Sequence, residues 1–176
     1  EMGADMELDE VHDLNSDETL AHLLHIDSVG GPLGVPVSSE CSSMTVGDQT
    51  FQALAERDTK ALPWGDLGAD VVIDSTGIFT KVGQASQHIE AGAKKVIISA
   101  PASDPAPTFV MGINEGDYDP ENDHVIPNAS CTTNCLAPLA QVSHQAFGNE
   151  RGFMMTAHAF TDDQNPQHGP HTDLRR

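Results

Sequence analysis

The sequence predicts an α/β chain built on an open parallel sheet up to about residue 127. Three observations support this. Short apolar runs such as Val71-Val72-Ile73 and Val96-Ile97-Ile98 have the length and composition of buried strands. Stretches of helical spacing separate them. Small polar residues follow the runs, and in open α/β sheets ligands sit beyond the carboxyl ends of the strands.

Taken in order, residues 7–12 form a first strand ending at Asp13, although Asp9 and Glu10 suit a buried strand poorly. Ser16-Asp17-Glu18 is a helix start, with a capping hydroxyl and acids in the first turn. Leu20, Leu23 and Leu24 give it one apolar face. Residues 35–53 hold two strands joined by a Gly47-Asp48 turn. Trp64 follows Pro63 in a loop, as a packing residue. Residues 81–91 form a helix closed by Gly92, and Val96-Ile97-Ile98 delivers Ser99 to a strand end. Residues 101–107 are a proline-rich loop; 108–111 and 124–126 are short strands. A helix spans 131–147 with a kink expected at Pro138, and a strand over 153–160 carries His158.

Composition narrows the function classes. The net charge is −19, from 27 acidic residues against 8 basic ones, which excludes a phosphate-binding basic face and so argues against nucleic acid. One reading is an ordinary acidic protein. The sharper one is adaptation to concentrated salt, where the Debye length falls to about 3 Å and dense carboxylates repel little. Acidity spread along the chain and only four lysines favour the sharper one. No apolar run approaches membrane-spanning length and no signal-peptide pattern opens the chain, so no membrane partner is expected. Three cysteines, an odd number, point to a reducing, cytoplasmic compartment. Cys131 and Cys135 lack a second ligand pair, so no metal site is expected. The chain opens at Glu1 and stops at Arg176 without closing signals, which reads as an internal piece of a longer protein.

The chemistry concentrates in Asn128-Ala129-Ser130-Cys131-Thr132-Thr133-Asn134-Cys135. Cys131 falls where a strand gives way to a helix. Backbone N–H groups there favour negative charge, so a thiol at that point titrates early and is nucleophilic. Ser130 and Thr132 add hydroxyl donors suited to an anion or an oxyanion. By pattern alone, the commoner fate of a cysteine is burial as a small apolar residue.

The stretch continues as Leu136-Ala137-Pro138-Leu139, and the whole is similar to the active-site signature of phosphorylating glyceraldehyde-3-phosphate dehydrogenases. The resemblance extends through residues 18–24, 54–58, 62–65, 74–80, 91–101, 170–171 and 173–176. It implies a doubly wound, Rossmann-type NAD-binding domain over residues 1–129, lacking its first strand, followed by the start of an α+β catalytic domain over 130–176. The glycine-rich pyrophosphate loop is then expected ahead of Glu1, and a phosphate-binding arginine beyond Arg176.

The resemblance also implies roles. Cys131 attacks the aldehyde, and His158, in Thr156-Ala157-His158-Ala159-Phe160-Thr161, pairs with the thiol as general base. A lone strand histidine is otherwise a core residue. Ser130, Thr132 and Thr161 contact the phosphate of the substrate or the attacking inorganic phosphate. Asp13 holds the adenosine ribose hydroxyls of NAD and repels a 2′-phosphate, and Leu14 and Pro170 match the NAD-specific form. Arg57 lies near the adenine, or is a plain surface arginine. Ser75, Thr76, Gly77 and Ser99 face the phosphates and nicotinamide. Cys135 matches the second cysteine and reads as packing. The expected reaction is oxidation of glyceraldehyde 3-phosphate with inorganic phosphate, in a homotetramer.

Departures from the pattern are His12 for asparagine, Phe160 for tyrosine, and the segments 30–32 and 165–169. Three alternatives remain: a sister dehydrogenase of erythrose 4-phosphate, a non-catalytic remnant, and a cysteine hydrolase. The last leaves the cofactor-side segments unexplained.

Overall fold

A computed structural model describes residues 7–27 and 30–161. The chain divides into two compact units, Glu1–Ser130 and Cys131–Arg176.

The first unit holds two main sheets. Strand β1 (Glu10–His12) is followed by helix α1 (Asp17–His25), capped by the Ser16 side chain, which accepts from the Thr19 N–H. A minimal ladder joins β2 (Ile26–Asp27) to β3 (Gly31–Pro32). Strands β4 (Val37–Glu40), β5 (Ser43–Val46) and β6 (Gln49–Leu54) form an antiparallel meander, and β1 joins it parallel to β6. Met44, Phe51 and Ala21 bury themselves between α1 and this sheet.

The second sheet is parallel, in the order β7 (Val71–Asp74), β8 (Lys95–Ile98), β9 (Val125–Pro127). Helix α3 (Val82–Glu90) crosses between β7 and β8 and buries Ala85 against Val96, Ile98 and Val125. A valine or isoleucine of this cluster contributes about 1.5–3 kcal/mol when fully buried. A four-residue helix, α2 (Trp64–Leu67), precedes β7. Its Gly65 lies so close to Gly92 that a Cβ on Gly92 would fall 2.4 Å from the Gly65 nitrogen, at a φ of 111°. Only glycine fits there.

Strands β1 and β7 sit in different sheets, and each has a ladder on one side only among the described residues. This is the arrangement expected of a doubly wound domain without its central first strand. In β7, Val72 and Asp74 are buried while Val71 and Ile73 are exposed.

In the second unit, helix α4 runs without a break from Cys131 to Phe147, through Pro138. No helix among the described residues is long and apolar enough to cross a membrane.

Four expectations need correction. Residues 35–53 carry parts of three strands rather than two, because Cys41 and Ser42 make a second tight turn at φ values of 50° and 61° without any glycine. Trp64 begins α2 rather than lying in a loop, though it is the packing residue expected, buried with Leu62, Ala69, Val72 and Ala93. Residues 108–111 make one isolated bridge, Phe109 to Asn128, in place of a strand. Residues 153–160 are irregular and exposed, since a strand exists only by pairing and none of the described residues pairs with them. Residues 165–169, Pro170, His171 and 173–176 lie outside the described residues.

Candidate active site

Cys131 is the first residue of α4, where helix N–H groups are still without intrahelical acceptors. It is exposed. Its Sγ lies 3.0 Å from His158 Nε2. That contact is the largest cause holding the thiol below its ordinary pKa; desolvation opposes it, and the backbone and hydroxyl of Thr132 lower the thiol further. The imidazole is raised in turn, first by its bond to the Ala159 carbonyl and then by the sulfur.

The tautomer follows from the far side of the ring. His158 Nδ1 stands 2.7 Å from the Ala159 carbonyl oxygen, which can only accept, so Nδ1 carries a proton. Nε2 is thereby the nitrogen free to receive the thiol proton, giving thiolate and imidazolium. The lowering of the thiol and the raising of the imidazole both move the balance toward thiolate and imidazolium.

The other candidates divide between the two units. Thr132 sits beside Cys131 in α4, half-buried, and Thr161 is exposed. Ser130 closes the first unit. Cys135, expected to pack, is exposed one helical turn beyond Cys131.

In the first unit, Asp13 follows β1 directly, and its N–H bonds to the Leu54 carbonyl. Its Oδ1 accepts from both the backbone and the side-chain nitrogen of Asn15, at 2.8 Å each. Oδ2 takes no part in these two bonds. His12, the departure noted above, places Nε2 2.6 Å from the Glu56 carbonyl and so ties β1 to the loop carrying Arg57, which is exposed. Ser75, Thr76 and Gly77 follow β7 and Ser99 follows β8; all four are exposed, and Gly77 turns at a φ of 70°. These acceptors and donors stand near the carboxyl ends of strands, where open α/β sheets bind their ligands.

Two residues of this region escaped the sequence reading. Asp74 at the end of β7 and His88 on α3 are both buried and face one another at 3.6 Å. Asp74 Oδ1 accepts from the N–H and the hydroxyl of Thr76, at 2.9 and 2.7 Å. Only a chain folded back through α3 brings positions 74 and 88 together, so the sole signal in sequence was Asp74 preceding the Ser75-Thr76-Gly77 turn.

Comparison with known proteins agrees on both units. The family described as "Glyceraldehyde 3-phosphate dehydrogenase, NAD binding domain" matches residues 2–82, and "Glyceraldehyde 3-phosphate dehydrogenase, C-terminal domain" matches residues 130–176. The chain is 55% identical over 173 residues to glyceraldehyde-3-phosphate dehydrogenase 1 of Streptomyces arenae, covering 98% of this chain and 52% of that protein. It is 56% identical over 174 residues to glyceraldehyde-3-phosphate dehydrogenase 1 of Streptomyces avermitilis, covering 99% and 52%. With the Streptomyces coelicolor glyceraldehyde-3-phosphate dehydrogenase it shares 53% over 176 residues, covering 100% and 52%. The chain thus spans about half the length of the curated relatives it matches. Matched in both units and along essentially its whole length, the chain belongs to the glyceraldehyde-3-phosphate dehydrogenase family.

Proposed function

We propose that the protein is an NAD-dependent, phosphorylating dehydrogenase of glyceraldehyde 3-phosphate. The observation that carries this is the 3.0 Å contact between Cys131 Sγ and His158 Nε2 at the start of α4. The thiolate adds to the aldehyde carbon, forming the C–S bond and an alkoxide. Protonated His158 gives its proton to that alkoxide; now neutral, it takes the hydroxyl proton back as the carbon gives up hydride. NAD, when bound, supplies the two-electron oxidant. A thioester remains on Cys131. Inorganic phosphate attacks its carbonyl, the C–S bond breaks, and the acyl phosphate leaves with the thiolate restored.

Ser130, Thr132 and Thr161 provide hydroxyl donors for phosphate, without adding charge of their own. Asp13, Arg57, Ser75, Thr76, Gly77 and Ser99 hold NAD, the Asp13 carboxylate rejecting a 2′-phosphate. Residues 1–129 act as the cofactor domain and 130–176 open the catalytic domain. We place the protein in the cytoplasm as a homotetramer, with its acidity an adaptation to concentrated salt. A non-catalytic role leaves the paired thiol and imidazole without a purpose.

Iodoacetate labelling of the intact protein at neutral pH tests the assignment. Cys131 should be modified first, with parallel loss of NADH formation. Labelling no faster than at Cys41, which is also exposed, sinks it. Assays with glyceraldehyde 3-phosphate and erythrose 4-phosphate side by side decide the aldehyde, and the former should turn over faster.

A further inference from the structure

Two buried titratable side chains take no part in the chemistry proposed above. Asp74 is 4% exposed and His88 5%. Behind them stands Trp64, whose Nε1–H donates to His88 Nδ1 at 3.0 Å across a buried contact. An indole nitrogen can only donate, so Nδ1 is the unprotonated nitrogen and the ring's proton resides on Nε2. His88 is therefore a neutral imidazole whose N–H faces Asp74 Oδ2 at 3.6 Å. Neither of these two atoms has a hydrogen-bond partner among the described residues. Phe79 stands edge-on to the ring, with centroids 6.3 Å apart.

Each oxygen of Asp74 addresses a different element. Oδ2 faces the His88–Trp64 pair; Oδ1 takes both donors of Thr76; the main-chain carbonyl accepts from the Ser99 N–H at 3.0 Å. Burying a carboxylate here carries a desolvation cost that an apolar side chain would avoid. What the carboxylate adds is a fixed Thr76, whose hydroxyl in turn accepts from the Ile78 N–H across the left-handed Gly77.

We propose that Asp74 is a positioning residue: backed by the neutral His88–Trp64 pair, it sets the shape of residues 75–77 and, through them, the affinity for the dinucleotide. The inference rests on the reading that residues 75–77 face NAD. Asp74 itself touches no reacting atom, so it acts on cofactor binding and leaves the chemical step alone.

Calorimetric titration of the intact protein with NAD, together with steady-state kinetics, tests this. Asp74→Ala should raise the Kd for NAD by about tenfold, the loss expected of two hydrogen bonds. kcat at saturating cofactor should stay within about twofold, as for an interaction made equally in ground and transition states. Asp74→Asn keeps an oxygen for Thr76 and should recover most of the affinity. If Asp74→Ala does not fold, Thr76→Val, on an exposed side chain, replaces it and should raise the Kd by about threefold. An unchanged Kd in the folded variant, or Asn no better than Ala, overturns the proposal. Asp13→Ala serves as the control on the underlying reading. If it weakens NAD while Asp74→Ala does not, only the positioning role falls; if neither matters, the cofactor assignment falls with it.

Discussion

His88 and His158 each face an acidic partner, yet the two sites use imidazole in opposite ways. His88 is buried, and its far nitrogen accepts a hydrogen bond from the Trp64 N–H. His158 is exposed, and its far nitrogen donates to the Ala159 carbonyl. The first arrangement fixes a neutral ring that can only offer an N–H to Asp74. The second leaves a lone pair aimed at the Cys131 sulfur, so the ring can take the thiol's proton. Burial and the bond on the far side, rather than residue type, decide which histidine holds a structure and which moves a proton.

Breaking the exposed pair should give the largest effect. His158→Ala removes the main cause that lowers the Cys131 thiol, so its titration moves back up toward the ordinary cysteine range. Alkylation of Cys131 at pH 7 should then slow by about 10–100-fold, in proportion to the lost thiolate. The sign is checkable from the pH profile. In the wild type the alkylation rate rises as pH climbs through a lowered thiol pKa; in the variant the rising limb moves to higher pH. An unmoved limb would show that the helix start alone activates the thiol. Trp64 fluorescence should not respond to this substitution.

Breaking the buried pair should leave reactivity alone and cost stability instead. Trp64→Phe keeps most of the ring in the cluster with Leu62, Ala69, Val72 and Ala93 but deletes the donor to His88 Nδ1. A buried acceptor left unsatisfied costs about 1–3 kcal/mol. Urea unfolding of the intact protein should show a loss in that range, with the alkylation rate of Cys131 unchanged. A variant as stable as the wild type would mean that the bond contributes nothing and that His88 is free to change tautomer.

The two sites also differed in how far they could be read in advance. The exposed pair was legible because its parts lie in contiguous motifs, with Cys131 at the first residue of a helix whose limits, 131–147, follow directly from local signals. The strand ends proposed for the cofactor were legible for the same reason: Ser75–Gly77 and Ser99 follow short apolar runs that do form β7 and β8, and Asp13 follows the more polar β1. The buried network was not, because Trp64, Asp74 and His88 meet only after α2, β7 and α3 have packed. The Cys41–Ser42 turn was missed because left-handed turns are recognised by glycine or asparagine, and neither is present. Residues 153–160 have strand composition, but composition cannot supply a pairing partner.

The smallest effect separates the sites by screening. At high ionic strength the Debye length shrinks from about 10 Å at 0.1 M to about 3 Å at 1 M. The Cys131–His158 pair is exposed, so ions reach it and part of the mutual stabilisation of thiolate and imidazolium is lost. Because the two groups are in contact at 3.0 Å, the loss is limited. Alkylation of Cys131 by neutral iodoacetamide at pH 7 should slow by only about twofold between 0.1 and 1 M salt. The bond between Trp64 and His88 is neutral and buried, so Trp64 emission in the folded protein should not shift over the same range. Stability should move the other way, since 27 acidic against 8 basic residues repel one another less as salt rises. A protein that unfolds at the same urea concentration in both salts would remove the case for salt adaptation. It would leave the contrast between the two histidines intact, because that contrast rests on hydrogen bonds and not on net charge.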